Sequence, residues 1–128
     1  MDSTYEIRNN YLFLKLTGRF EVSRSKEIVY DALEQIRFHN LNKVFVDVTE
    51  VKGLDEAKDS IMKMFVLVPM ITRSLPKGTK TSFWGTEKQV SKYSFFDDVL
   101  PRLGLSVKVT TKPEEGLEWL GVSSEEKS

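Results

Sequence analysis

The six residues Lys43-Val44-Phe45-Val46-Asp47-Val48 narrow the choice of fold more than any other part of the chain. The run is β-branched and aromatic, and it is too short for a buried helix. It therefore reads as a central strand covered on both faces, the setting of strands in parallel sheets flanked by helices. Upstream, Tyr5 to Arg8 and Tyr11 to Gly18 read as two strands joined at Asn9-Asn10, since asparagine tolerates positive φ. Leu12, Leu14 and Leu16 share one face of the second strand at period two. Downstream, Thr79 to Trp84 and Leu105 to Thr110 read as two more strands.

Helical patterns fill the gaps. One runs from Ser23 or Ser25 to about Phe38, with Ile28, Ala32, Leu33 and Ile36 inward. A second runs from Glu56 to about Arg73, with Asp55 as its N-cap and Pro69 expected to kink or end it. A third starts at Thr86 or Glu87 and reaches about Leu103, with Val90, Tyr93, Phe96 and Leu100 inward. The last covers Glu115 to Leu120, behind a capping start at Thr111-Lys112-Pro113-Glu114. The order β, β, α, β, α, β, α, β, α predicts an α/β domain: a mostly parallel four- to five-stranded sheet with an N-terminal hairpin and four helices. Residues 1–121 form one domain in this reading, and residues 122–128 form a polar tail.

Composition excludes several functions. Lys plus Arg and Asp plus Glu both number 19, so no global electrostatic footprint for nucleic acid or an anionic membrane exists. The chain has no cysteine and a single histidine, His39, which leaves no zinc site, thiol chemistry or catalytic triad and assigns His39 to a helix end at the surface. The glycines are isolated, without a phosphate-binding loop. No apolar run is long enough to span a bilayer, and the N-terminus lacks a signal-peptide pattern, so the expected location is the cytoplasm. No cofactor is called for. Phe83-Trp84 with Tyr93, Phe95 and Phe96, near Lys80, Lys88 and Lys92, is the one cluster with the elements of a single-strand nucleic-acid platform. Interspersed Glu87, Asp97 and Asp98 favour a core-and-surface reading, with no nucleic-acid partner.

Three segments together resemble a known family. They are the hairpin Tyr5 to Gly18, the strand Val44 to Val48 with its loop to Leu54-Asp55, and the closing Gly104-Leu105-Ser106-Val107-Lys108-Val109 followed by Pro113-Glu114-Glu115-Gly116-Leu117-Glu118-Trp119-Leu120. They look like the STAS domain (sulphate transporter and anti-sigma factor antagonist) in its stand-alone SpoIIAA-like branch. The turn Leu75-Pro76-Lys77-Gly78-Thr79-Lys80 and the Glu-Trp-Leu ending resemble bacterial SpoIIAA-like proteins whose fold is shared with the CRAL-TRIO lipid carriers. The resemblance implies a non-enzymatic regulatory or protein-interaction module. In the phosphorylatable members a Ser or Thr follows the Asp that opens the helix after the central strand. Asp55 matches that Asp, but Glu56 follows it, which implies a member not switched by phosphorylation there. The CRAL-TRIO side implies an apolar or lipid-like ligand.

The candidate sites follow. Asp55, Glu56, Asp59 and Ser60 form the expected partner-binding start of the second helix. Asp47 with Asp55 and Glu56 lies at the carboxyl end of a strand, where acid–base work or Mg²⁺ binding is conceivable, although helix capping explains the same residues. The stretch Ile61 to Ile71 is apolar nearly all round. It is either buried on several sides or a pocket wall or dimer face, with Ile61, Met64, Phe65 and Val68 facing an apolar ligand or a second copy. The expected partners are thus a protein, a second copy of the chain, or an apolar small molecule.

Overall fold

The computed structural model describes residues 1–122. It contains a five-stranded sheet in the order β1-β2-β3-β4-β5, made of Asp2–Arg8, Tyr11–Arg19, Lys43–Lys52, Lys80–Trp84 and Ser106–Thr110. β1 and β2 form the antiparallel hairpin, turned at Asn9 with φ 50°, and the remaining strands pair in parallel. β3 is longer than the sequence predicts. It continues past Val48 to Lys52 and stops at Gly53, whose φ of 79° suits a residue without Cβ.

Each expected helical region is present, but two are broken. α1, Val22–Phe38, is one helix. It begins before either predicted serine cap. Glu21 occupies the cap position without a side-chain capping bond, and the Ser25 hydroxyl instead donates to the Glu21 carbonyl at 2.7 Å. The second region is divided into a 3₁₀ turn at Leu54–Glu56, α2 at Lys58–Lys63, a 3₁₀ turn at Met64–Leu67 and α3 at Val68–Ser74. Pro69 explains the second break. It has no N–H to give the Phe65 carbonyl, and its ring would collide with that carbonyl in an α-helix. The Val68 N–H takes the Phe65 carbonyl instead, in a 3₁₀ bond. Pro69 thus lies in the first turn of α3, where the sequence predicts that it bends or ends a helix.

The third region is divided into α4, Glu87–Tyr93, and α5, Phe96–Arg102. Thr86 caps α4 through a reciprocal box with Gln89, as its position predicts. α6, Pro113–Leu120, has Pro113 in its first turn, but no side chain caps it. The Thr110 hydroxyl, rather than Thr111, accepts the Lys112 N–H at 3.0 Å.

A sequential strand order with right-handed crossovers places every crossover helix on the same side of the sheet. The register bears this out. Leu12, Val44, Thr81 and Val107 align across the sheet, as do Leu14, Val46, Phe83 and Val109. On that face Ile28 and Ile36 of α1 pack against Leu12, Leu14, Val44 and Val46, while Val68 of α3 and Leu100 of α5 pack with Val107. The opposite face carries Tyr11 and Phe45 and is covered by Leu117 and Leu120 of α6 together with Val122. Val122 is 3% exposed, although the sequence places it in the polar tail. The rest of that tail, residues 123–128, lies outside the described residues.

Candidate functional site

The helix-covered face of the sheet holds an apolar cavity of about 330 Å³. α1 forms one wall through Ile28, Ala32 and Ile36, and the broken α2–α3 segment forms another. All four residues expected to face an apolar ligand or a second copy, Ile61, Met64, Phe65 and Val68, line it, together with Leu67 and Ile71. The 3₁₀ turn accounts for that convergence. Side chains at i and i+3 eclipse in a 3₁₀ helix, so Met64 and Leu67 fall on one side of the turn, while Ile61 of α2 and Val68 and Ile71 of α3 line the cavity from its two flanks. Met62 and Val66 face out, at 41% and 74% exposed. The segment that reads as apolar all round therefore has an inner and an outer face.

The polar groups around the cavity are nearly all committed. Among the described residues no Asp, Glu, Lys or Arg lines it, and its polar side chains are those of Ser25, Thr81, Gln89 and Tyr93. Ser25 donates to Glu21. The Gln89 carbonyl oxygen accepts the Thr86 N–H at 2.8 Å, and its amide donates to the Val48 and Val51 carbonyls at 2.9 and 3.2 Å. The Tyr93 hydroxyl donates to the Leu54 carbonyl at 2.6 Å. Burial pushes the Tyr93 phenol above its ordinary value, and the nearby Asp55 carboxylate adds to the shift. Among these, Thr81 alone retains an uncommitted hydroxyl, so the cavity presents hydrocarbon and almost nothing that would satisfy a charged or strongly polar group. The sequence signals the α2–α3 wall. It does not separate the inward stripes of α1 and α4, which form the opposite walls, from ordinary core.

The acidic candidates divide into two places. Asp55 and Glu56 lie in the 3₁₀ turn and Asp59 and Ser60 in the first turn of α2. Asp55 does not cap a helix as predicted; neither the turn nor α2 has a side-chain cap, and α2 begins only at Lys58. Asp55 instead approaches Lys88 of α4 at 3.6 Å, while Glu56 and Asp59 are exposed. Asp47 is not at a strand end but inside β3, 4% exposed, and accepts both the N–H and the hydroxyl of Thr49 at 2.9 and 2.6 Å. Among the described residues no three His, Cys, Asp or Glu side chains gather as metal ligands.

The aromatics near β4 also separate. Trp84 stacks on Phe45 on the α6 face, while Tyr93, Phe95 and Phe96 pack on one another and Phe96 reaches Phe65. They form no stacking platform. His39 is the exposed C-cap residue of α1, edge-on to Phe38. Among the described residues no helix is long and apolar enough to cross a membrane.

No family model matches the chain, and no curated protein matches its sequence. Solved structures do match its shape. An anti-sigma factor antagonist from Mycobacterium paratuberculosis superposes with a TM-score of 0.56 at 10% identity, covering 94% of this chain and 93% of that one. A protein of the DUF3478 family from Shewanella loihica PV-4, described as having a SpoIIAA-like fold, superposes at 0.49 with 18% identity, covering 93% and 92%. With its antiparallel hairpin leading into a parallel sheet, helices on one face and α6 on the other, the chain has the SpoIIAA-like α/β fold of the anti-sigma factor antagonists.

Proposed function

We propose that the chain is a non-enzymatic binding module of SpoIIAA-like fold that takes an apolar, lipid-like small molecule into the cavity between α1, α2–α3 and the sheet. The observation that carries this reading is the cavity itself, lined by apolar side chains and four polar ones of which three are already hydrogen-bonded. A dry cavity of about 150 Å³ takes benzene. One of 330 Å³ therefore suits a ligand of on the order of a dozen carbons, with any polar end left at the mouth.

Native mass spectrometry on protein purified without detergent tests this, followed by titration with the neutral fluorophore N-phenylnaphthylamine. An adduct removed by organic extraction, or saturable one-to-one probe binding that raises Tm, is expected. Bare protein with no saturable binding would refute it.

A second reading has a specific basis. Glu56 and Asp59 are exposed beside the cavity wall, and Asp55 is held by Lys88. In this reading a protein partner docks on Asp55, Glu56, Asp59 and Ser60, making the domain a regulatory module. A carboxylate at Glu56 supplies permanent charge there and leaves no hydroxyl for phosphorylation. Glu56→Lys should abolish capture of such a partner with Tm unchanged; capture equal to wild type would remove this placement.

A further inference from the structure

The two edges of the sheet are treated differently. At the β5 edge, α5 packs against the strand and the Asp97 carboxylate accepts the Val109 N–H at 2.7 Å. β1, at the other edge, pairs only with β2 among the described residues. Its seven residues run in one unbroken register from Asp2 opposite Thr17 to Arg8 opposite Tyr11, with no proline and no bulge. The beginning of the strand is tied down: the Met1 ammonium pairs with Glu21 at 3.3 Å, and Arg24 donates to the Met1 carbonyl at 3.1 Å. Such an edge presents alternate backbone N–H and C=O groups to whatever strand comes beside it, and proteins ordinarily blunt it with a bulge, a proline, an inward lysine or a cover. β1 contains no lysine, proline or bulge. It also leaves Tyr5 47% and Ile7 37% exposed on the face shared with Leu12 and Leu14.

We propose that β1 is a self-association edge: the β1 of a second copy adds antiparallel to it about a two-fold axis through Tyr5, joining two five-stranded sheets into one. The charge pattern selects both the occupant and the register. An axis through Tyr5 uses the whole strand. It sets Asp2 opposite the second copy's Arg8, Ser3 opposite Ile7, Thr4 opposite Glu6 and Tyr5 opposite itself. Moving the axis to Thr4 sets Asp2 against Glu6, and moving it to Glu6 sets that carboxylate against its own copy. Opposite charges directly across strands stabilise the pairing and like charges oppose it. An axis through Ile7 also opposes Glu6 and Arg8 but engages only the end of the strand; the Tyr5 axis alone pairs all seven residues with no like charges opposed, which is the self-complementarity that an isologous two-fold contact requires. This surface is separate from the cavity and stands whether or not a ligand occupies it.

Sedimentation velocity from micromolar to millimolar protein should show a reversible monomer–dimer equilibrium. Asp2→Lys should raise the dimer Kd at least about tenfold, because two favourable cross-strand pairs become repulsive, and adding Arg8→Glu should restore it. The chain has no cysteine, so single cysteines report the register. Tyr5→Cys should form an intermolecular disulfide on mild oxidation, since directly opposed residues lie roughly 4.5–5.5 Å apart. Ser3→Cys should not, being offset from its own copy by about 13 Å along the strand. A wild-type chain that stays monomeric throughout would overturn the proposal. So would a dimer indifferent to Asp2→Lys, or one that cross-links equally well through Ser3→Cys.

Discussion

Ala32→Leu places three extra carbons into the cavity from the middle of α1, where Ala32 is half-buried on the cavity wall. In that space those carbons leave water for an apolar environment, worth about 0.8 kcal/mol each or about 2.4 kcal/mol together. Ordering a leucine side chain costs about 0.5–1 kcal/mol, and leucine and alanine differ little in helix propensity. The net gain is about 1.5 kcal/mol, or roughly 4–8 °C in Tm for a domain of this size. The same carbons occupy ligand volume, so N-phenylnaphthylamine should bind at least about tenfold more weakly, a loss of about 1.4 kcal/mol. Urea unfolding followed by tryptophan fluorescence measures the first quantity. Trp84 and Trp119 both belong to the α6 face, away from the substituted site. Stabilisation with weakened binding is the signature of a filled void. Destabilisation of 1 kcal/mol or more, which is the cost of overpacking, combined with unchanged probe binding, would show that α1 and α3 already close on each other and would refute the reasoning.

Two other substitutions probe the scaffold. Gly116 sits where α6 crosses β4, and a Cβ there would lie 2.5 Å from the Ser82 Oγ and 2.9 Å from the Phe45 ring. Gly116→Ala should therefore destabilise by about 1–3 kcal/mol despite alanine's better helix propensity. Adding Ser82→Ala should recover part of the loss, because the Ser82 hydroxyl is wholly buried and has no hydrogen-bond partner. A Gly116→Ala protein with an unchanged urea midpoint would disprove the close approach. Asp97 has its carboxyl held above the ordinary value by burial, against the opposing pull of the Val109 N–H and Lys108. With a folded pKa above the unfolded one, its favourable contribution is present below the ordinary carboxylate pKa and lost as pH rises through the raised value. Asp97→Asn keeps an acceptor for Val109 and should stabilise most at neutral pH, with the gain shrinking as pH falls through the carboxylate range. A gain that grows toward acid, measured by urea midpoints across pH, would contradict that sign.

The elements were legible in the sequence because each carries a strong period. The Leu12, Leu14 and Leu16 alternation marks β2, Ile28, Leu33 and Ile36 mark α1, and all three of the latter are buried. The breaks were not legible, because they depend on competition between backbone and packing. Pro69 is visible in the sequence, but whether it ends one helix or begins another is decided by where the Phe65 carbonyl finds a donor, and Val68 provides it. Asp55 failed as a cap for a similar reason. β3 runs four residues beyond Val48, so Asp55 falls in a 3₁₀ turn rather than at a helix start, and Lys88 from a distant element takes up its carboxylate. Ile61, Met64, Phe65 and Val68 were legible as an apolar surface. The cavity was not, since it is a shortfall of volume between elements and no single segment records it.

That shortfall follows from the topology. Sequential strand order sends every crossover to one face, where α1 through α5 must cover the sheet, while α6 alone serves the other. On the α6 face, close approach at Gly116 brings the helix down onto Ser82 and Phe45 and leaves little room between them. On the crowded face, the long α1 packs against β2 and β3, and α5 packs against β5. The segment between them is broken into short pieces at Ala57 and again at Met64–Leu67. Short helices cannot lie along the sheet as one rigid rod. Inward residues of all three pieces, Ile61, Met64, Leu67 and Val68, line the cavity. The same break that makes the apolar run two-faced, with Val66 outside and Phe65 inside, thus borders the cavity.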